Sequence, residues 1–149
     1  MVKVGENAPE FAVKNQEGKI IKQSDFLGKK LVLFFYPKAS TPGCTVEAKN
    51  LRDNYQEFLA KGYAILGVSA DSEKRQQNFS NKNELPFDLL ADEDKEVINA
   101  FGVWGPKKFM GREYDGIHRT TFIIDEKGVV EKVITKVKTK EHTNQIFEK

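Results

Sequence analysis

Residues 31–36 limit the fold of this chain more than any other segment, because all six of them (LVLFFY) are apolar or aromatic. A strand with one wet face alternates polar and apolar side chains, so an unbroken apolar run predicts a strand that is buried on both faces. Such a strand lies inside a sheet that is covered by helices. Residues 63–68 form a second run of the same kind. The sequence therefore predicts an α/β fold with a central sheet.

The remaining elements follow from spacing and turn residues. Apolar side chains recur at helical spacing over residues 44–61, with Gly62 as the C-cap. Glu17 and Gly18 separate two short extended segments and predict an N-terminal hairpin. Further expected elements are a polar helix capped by Asp71 or Ser72 and running to about Asn81, a short strand over 87–90, a short helix over 97–101, a loop over 105–116, a hairpin of 120–124 with 129–133, and a final helix that starts near Thr139 and ends at the terminus. This order predicts a mixed α/β sandwich.

Length and composition narrow the class of protein. The 149 residues favour one domain over 1–149. The formal net charge is +2, from 24 basic and 22 acidic side chains, so the net charge does not indicate a nucleic-acid or membrane partner. The first residues lack the apolar stretch of a signal peptide, and no run is long enough to span a membrane. The single cysteine excludes an internal disulfide. We expect a cytoplasmic protein.

Cys44 is the strongest candidate for chemistry, because it stands where the first buried strand has ended and a helix begins. The first N–H groups of a helix lack intrahelical partners and carry partial positive charge, which favours a thiolate. A lone cysteine is more often a small buried hydrophobe. Pro42 and Gly43 fit a turn that places Cys44 at the helix start, and the Thr41 hydroxyl offers a hydrogen-bond donor to sulfur or to an attacked oxygen. The spacing favours a reactive thiol.

The pattern Pro37-x-x-x-Thr41-x-x-Cys44 resembles the active-site loop of the peroxiredoxins, in the AhpC/TSA superfamily. The longer form, with Glu47 and Ala48, is similar to the bacterioferritin comigratory protein branch, also called the Q-type peroxiredoxins. Other segments that resemble this branch are 5–11, 68–72, 85–90, 102–105 and 119–125. The resemblance implies a thioredoxin-like fold and a thiol-dependent peroxidase.

The resemblance also implies roles for particular residues. Cys44 would attack the peroxide and become a sulfenic acid. Pro37 would shield the site from water, Arg119 would supply a permanent cation, and Glu47 would orient that arginine. A simpler alternative for Glu47 is a first-turn carboxylate that favours the helix dipole. From their chemistry, the backbone N–H groups of Gly43 and Cys44 and the hydroxyl of Thr41 are candidate donors to the reacting oxygen.

One position departs from the family pattern. Many members have a resolving cysteine five residues after the first, and this chain has Lys49 there. The sulfenic acid would therefore be reduced by an outside thiol, for which thioredoxin, glutaredoxin and a small thiol are the candidates. We expect hydroperoxide substrates, no metal or other cofactor, and a monomer or weak homodimer.

Several alternatives stay open from the sequence. His118 offers a Cys–His dyad for hydrolysis, but alternation along a strand turns it away if Arg119 faces Cys44. His142 is expected on the surface. Trp104 and Phe109 are expected in the core, although they could also line an apolar collar near the site.

Two further readings concern charge and function. The run 92–94 (DED) is expected to be a solvated helix cap, because no calcium-loop spacing follows it. A rival function is a thioredoxin-like binding or chaperone module that has lost turnover.

Overall fold

A five-stranded sheet forms the centre of the structure, a computed structural model that describes residues 1–148. The strands are β1 (Ala12–Lys14), β2 (Ile20–Lys22), β3 (Lys30–Phe35), β4 (Tyr63–Ser69), β5 (Asp88–Ala91), β6 (Trp104–Phe109), β7 (Arg112–Ile117), β8 (Thr120–Ile124) and β9 (Val130–Ile134). The helices are α1 (Pro42–Asp53), α2 (Tyr55–Ala60), α3 (Glu73–Asn83), α4 (Glu96–Phe101) and α5 (His142–Phe147), with 3-10 turns at Gln23–Phe26 and Thr139–Glu141.

The sheet has the strand order β5-β4-β3-β8-β9. Strands β3, β4 and β5 are parallel, whereas β8 is antiparallel to both β3 and β9. The predicted mixed sheet, the N-terminal hairpin of β1 with β2 and the late hairpin of β8 with β9 are confirmed. The pairing of Phe35 with Thr120 brings the start of β8 beside the end of β3.

The two faces of the sheet have separate hydrophobic cores, as the apolar run of β3 predicts. Leu31, Leu33 and Phe35 pack on one face with α4 and the N-terminal hairpin. Val32, Phe34 and Tyr36 pack on the other face, whose further members include residues of α1, α2, α3 and α5. Each of these six side chains is at most 1% exposed. The site described below lies on the second face.

Three expectations about local structure are corrected. The helix predicted over 44–61 begins at Pro42 and is broken at Asn54 into α1 and α2. The segment predicted as a loop over 105–116 forms the hairpin of β6 and β7, whose turn uses positive φ angles at Met110 and Gly111. The final helix is α5, preceded by a 3-10 turn, and it ends at Phe147 because Glu148 is extended; Lys149 lies outside the described residues.

The cap of the polar helix is confirmed, because the Ser72 hydroxyl accepts a hydrogen bond from the backbone N–H of Arg75. Within residues 1–148, no helix combines the length and the apolar character that crossing a bilayer requires.

Candidate active site

Buried polar side chains hold the loop between β3 and α1 in place. Asp71 accepts a hydrogen bond from the backbone N–H of Ala39 (2.7 Å), and the Tyr36 hydroxyl donates to Gln76. Ser40 has a φ of 65°, a left-handed conformation that is uncommon outside glycine. These contacts fix the direction in which the chain enters α1.

Cys44 is the third residue of α1 and only 1% exposed. Pro42 occupies the first helical position, which suits a residue without a backbone N–H. The intrahelical bonds begin with the N–H of Thr45, which donates to the carbonyl of Thr41 at 2.9 Å. The N–H groups of Gly43 and Cys44 are therefore outside the helical ladder and available to an anion.

Arg119 is the residue before β8, and its side chain extends to Cys44. Its Nη2 lies 3.2 Å from the sulfur of Cys44, within hydrogen-bond range for sulfur. A Cβ on Gly43 would lie 3.3 Å from the same Nη2, so the absence of a side chain there gives the guanidinium room. Burial alone would lower the pKa of Arg119, but the nearby Glu47 and Cys44 raise it above its ordinary value. The arginine remains a cation beside the sulfur.

Glu47 holds the other side of the guanidinium. It lies one helical turn after Cys44, it is 0% exposed, and its Oε1 accepts a hydrogen bond from Nη1 of Arg119 at 2.7 Å. Burial raises the pKa of Glu47 to about 7, although the attraction of Arg119 opposes this shift. The pairing of Glu47 with Arg119 matches what the family resemblance implies.

His142 does not lie on the surface, as the sequence had suggested. It is 0% exposed, and its Nε2 lies 2.8 Å from the Thr121 hydroxyl and 3.4 Å from Oε2 of Glu47. Burial lowers the pKa of His142 to about 4, so the ring is neutral at pH 7. Its position at the start of α5 is set by packing against α1 and β8, which a local sequence pattern does not reveal.

Thr41 and Pro37 occupy the loop itself. The Thr41 hydroxyl donates to the carbonyl of Lys38 (2.7 Å) in this structure, and the residue is half-buried. Pro37 directly follows the buried Tyr36 and is half-buried as well. Their roles with a peroxide stay predictions.

Lys107 is a second cation near the site that the sequence did not single out. Its Nζ donates to the carbonyl of Ile117 (2.9 Å), which ties β6 to the segment leading into Arg119. Burial lowers the pKa of Lys107, and the charge of Arg119 lowers it further, whereas Cys44 raises it. The hydrogen bond to Ile117 holds Lys107 beside the segment that carries Arg119.

The remaining candidates lie elsewhere. His118 is exposed and its ring lies beside Gly105, so the arrangement does not provide the Cys–His dyad. Trp104 and Phe109 are 36% and 64% exposed, so the prediction that they are core residues is wrong. Their strands form a two-stranded sheet outside the central one.

The acidic run 92–94 also differs from expectation in part. Asp92 is 2% exposed, and its Oδ2 accepts a hydrogen bond from the backbone N–H of Ile98 at 2.8 Å. It therefore caps α4 as a buried carboxyl, whereas Glu93 and Asp94 are exposed.

A thiol at a helix start, beside a half-buried arginine paired with a buried carboxyl on a five-stranded mixed sheet, is an arrangement suited to thiol redox chemistry. The chain matches the model of the AhpC/TSA family over residues 4–133, and it belongs to that family. It is 47% identical to Peroxiredoxin Bcp of Escherichia coli K12 over 98% of this chain and 94% of that protein.

Solved structures agree with this assignment. Peroxiredoxin Q of Xanthomonas campestris aligns with a TM-score of 0.86 and 36% identity, over 91% of this chain and 86% of the other. A PrxQ mutant of Xylella fastidiosa aligns with a TM-score of 0.92 and 27% identity, over 98% and 93% of the two chains. The predicted thioredoxin-like peroxiredoxin fold is confirmed.

The raised pKa of Glu47 predicts how a substitution there changes stability with pH. Between its ordinary value of 4.5 and about 7, the folded protein binds more protons at Glu47 than the unfolded chain does. The stability from this group is present below that window and is lost as the pH rises through it. Glu47→Gln removes this titration, whereas the lowered pKa of His142 acts in both proteins.

We therefore expect the stability of Glu47→Gln relative to the original protein to improve by about 2 kcal/mol from pH 5 to pH 8, because each pH unit within this window changes the free energy of unfolding by about 1.4 kcal/mol. Urea unfolding at both pH values measures this difference. A difference that is the same at both would show that Glu47 ionises in the folded protein as it does in water.

Proposed function

We propose that this chain is a thiol-dependent peroxidase that reduces hydrogen peroxide and small organic hydroperoxides through Cys44. The observation that carries this proposal is the 3.2 Å contact between Nη2 of Arg119 and the sulfur of Cys44 at the start of α1. The cation of Arg119 lies against the sulfur, and Cys44 belongs to the first turn of α1, where the helix dipole is positive. This combination favours the thiolate that a peroxidase needs.

In the first step, the Cys44 thiolate attacks the terminal oxygen of the hydroperoxide. An S–O bond forms and the O–O bond breaks, so the sulfur is oxidised to a sulfenic acid and the peroxide is reduced. The leaving oxygen departs as alkoxide or hydroxide and takes up a proton to give alcohol or water. Negative charge moves from sulfur to oxygen during this displacement.

The residues around the sulfur are suited to stabilise that moving charge. Arg119 and the N–H groups of Gly43 and Cys44 donate toward it, and such donors lower the barrier when they are fixed before the reaction. The Thr41 hydroxyl, which now donates to Lys38, can rotate to donate to the peroxide. Pro37 covers the loop side of the site and limits access of water.

The second half of the cycle depends on a thiol from outside the chain. Lys49 is exposed and stands where a resolving cysteine occurs in many relatives, and Cys44 is the only cysteine. An outside thiol attacks the sulfenic acid to give a mixed disulfide and water, and a second thiol releases the reduced enzyme. Thioredoxin, glutaredoxin or a small thiol would serve, acting on a monomer or weak homodimer.

The nucleophile is tested with Cys44→Ser. We expect this variant to lose peroxide consumption in the presence of a small thiol, because its hydroxyl is a far weaker nucleophile, while its circular dichroism is unchanged. One equivalent of peroxide should add one oxygen atom to the mass of the original protein and none to the variant. A binding module that has lost turnover would show neither effect, and comparable consumption by both proteins would disprove the proposal.

Arg119 is tested with Arg119→Met, which retains much of the side-chain volume and removes the charge. We expect the rate of peroxide reduction to fall by about a hundredfold or more, as when a transition-state donor is lost. Alkylation of Cys44 should also require higher pH. Arg112→Met, at an exposed arginine of β7, is the matched control. Equal effects of the two substitutions would remove Arg119 from the site.

Lys49→Cys tests whether the scaffold still permits an internal disulfide. Positions 44 and 49 are about 140° apart around a helix, so their side chains cannot converge while α1 is intact. We expect peroxide to produce a 44–49 disulfide, seen as a loss of two hydrogens in mass and as resistance to overoxidation, because the new bond would trap the first turns of α1 when they open. Lys49→Ser is the control. Accumulation of sulfenic and sulfinic acid without a disulfide would show that α1 does not unwind.

A further inference from the structure

A chain of buried hydrogen bonds connects the end of β3 with the loop that leads into α1. The Tyr36 hydroxyl donates to Oε1 of Gln76. Gln76 donates through Nε2 to the Ser69 hydroxyl (2.9 Å), and Ser69 donates in turn to Oδ2 of Asp71 (2.7 Å). The backbone N–H of Ala39 donates to the same Oδ2 at 2.7 Å. The side chains of this network satisfy one another, as buried polar groups must.

The direction of these hydrogen bonds is set at both ends of the chain. Nε2 of Gln76 also donates to the carbonyl of Leu90 (2.7 Å), so its other amide atom is the acceptor that faces Tyr36. The Tyr36 hydroxyl therefore donates, and burial raises its pKa well above the ordinary value. At the opposite end, the backbone N–H of Ala39 can only donate. Asp71 is consequently the acceptor at which the chain ends.

The bond from Ala39 to Asp71 is the anchor of the loop. Within residues 1–148, it is the only hydrogen bond that joins residues 37–40 to another part of the fold, because the Thr41 hydroxyl binds the carbonyl of Lys38 inside the loop. The residue after Ala39 is Ser40, whose φ of 65° is unfavourable for a side chain with a Cβ. Without an anchor, the loop would relax away from this conformation.

The anchored loop carries groups that the proposed reaction uses. Two residues after Ala39 comes Thr41, the candidate donor to the peroxide, and Pro37 lies two residues before it. The guanidinium of Arg119 is held independently, by Glu47. The site therefore has two parts with separate supports. A misplacement of about 1 Å between reacting groups can slow a reaction by about a hundredfold.

We propose that Asp71 is a positioning residue for the peroxide reaction, because it holds the 37–41 loop in the form in which Pro37 and Thr41 meet the hydroperoxide. This inference rests on the proposed peroxidase function. Asp71 acts through the backbone of Ala39, and the role requires an acceptor oxygen rather than a proton transfer.

Two substitutions at position 71 separate the acceptor from the charge. Asp71→Ala removes the acceptor, whereas Asp71→Asn retains an oxygen that can accept from Ala39 and Ser69. We expect the second-order rate of peroxide reduction by the full chain to fall by about tenfold to a hundredfold in Asp71→Ala and to stay near the original value in Asp71→Asn. Alkylation of Cys44 by iodoacetamide needs no aligned donors, so its rate should change much less than the peroxide rate.

Asp92→Ala is the matched control for packing and stability. Asp92 is also a buried aspartate (2% exposed) that accepts from a backbone N–H, that of Ile98, at 2.8 Å. It caps α4, which packs on the opposite face of the sheet from Cys44. The substitution should lower stability in urea unfolding and leave the peroxide rate unchanged. An equal fall in Asp71→Ala and Asp92→Ala would overturn the inference.

Hydrogen exchange measures the anchor without using the activity. We expect the Ala39 amide to exchange about tenfold or more faster in Asp71→Ala than in the original protein or in Asp71→Asn. The amide of Tyr36, which donates to the carbonyl of Val68 (3.1 Å), should exchange at the same rate in all three. Exchange of the Ala39 amide that does not respond to Asp71→Ala would overturn the inference.

The peroxide measurements distinguish failure of this inference from failure of the proposed function. An unchanged rate in Asp71→Ala would overturn the positioning role alone, and so would a loss in Asp71→Asn as large as that in Asp71→Ala. An original protein that does not react with peroxide would overturn both proposals. If Asp71→Ala does not fold, Ser69→Ala replaces it, because it removes a donor that orients Asp71. A smaller fall in rate is then expected, and an unchanged rate would overturn the inference.

Discussion

The guanidinium of Arg119 joins two acidic groups that the chain brings from one helix, and the arrangement of the site depends on this junction. Nη1 binds the carboxyl of Glu47 and Nη2 lies against the sulfur of Cys44. Charge-assisted hydrogen bonds of this kind are stronger than neutral ones, and loss of one partner leaves a buried charge without compensation. One guanidinium therefore fixes the positions of both side chains.

Strand pairing in the sheet brings together the two segments that form this junction. Cys44 and Arg119 are far apart in the chain, but antiparallel pairing of β3 with β8 sets Phe35 opposite Thr120. The start of β8 and the loop after β3 therefore meet at one edge of the sheet. The buried Asp71, which follows β4, and Gln76 of α3 fix the loop through Ala39 and Tyr36. The site is consequently built on rigid elements, which is what a preorganised cation and donors require.

Much of this architecture follows from the sequence, because the patterns that predict it are local. The unbroken apolar run before Pro37 predicts a central strand, and turn residues such as Gly18 predict a hairpin at the right place. The position of Cys44 at a helix start follows from the loop residues before it. The partnership of Glu47 with Arg119 does not follow from spacing, since it joins distant segments, and only the family pattern suggested it.

The features that the sequence did not predict are those decided by distant contacts. His142 lies near the chain end among polar residues, and it is buried because α5 docks on α1 and β8. The hairpin of β6 and β7 lacks a hydrophobic alternation, since most of its side chains are exposed. The helix break at Asn54 occurs within an apolar pattern that continues on both sides of it.

This break has a mechanical consequence for the segment that carries Cys44. Residues of α2 are anchored separately, with Phe58 fully buried and stacked near Phe147. The interruption at Asn54 ends the helical hydrogen bonding of α1, so opening of its first turn does not require α2 to unwind. A local opening of the first turn of α1 would expose the sulfur to a partner while Phe58 stays in the hydrophobic core.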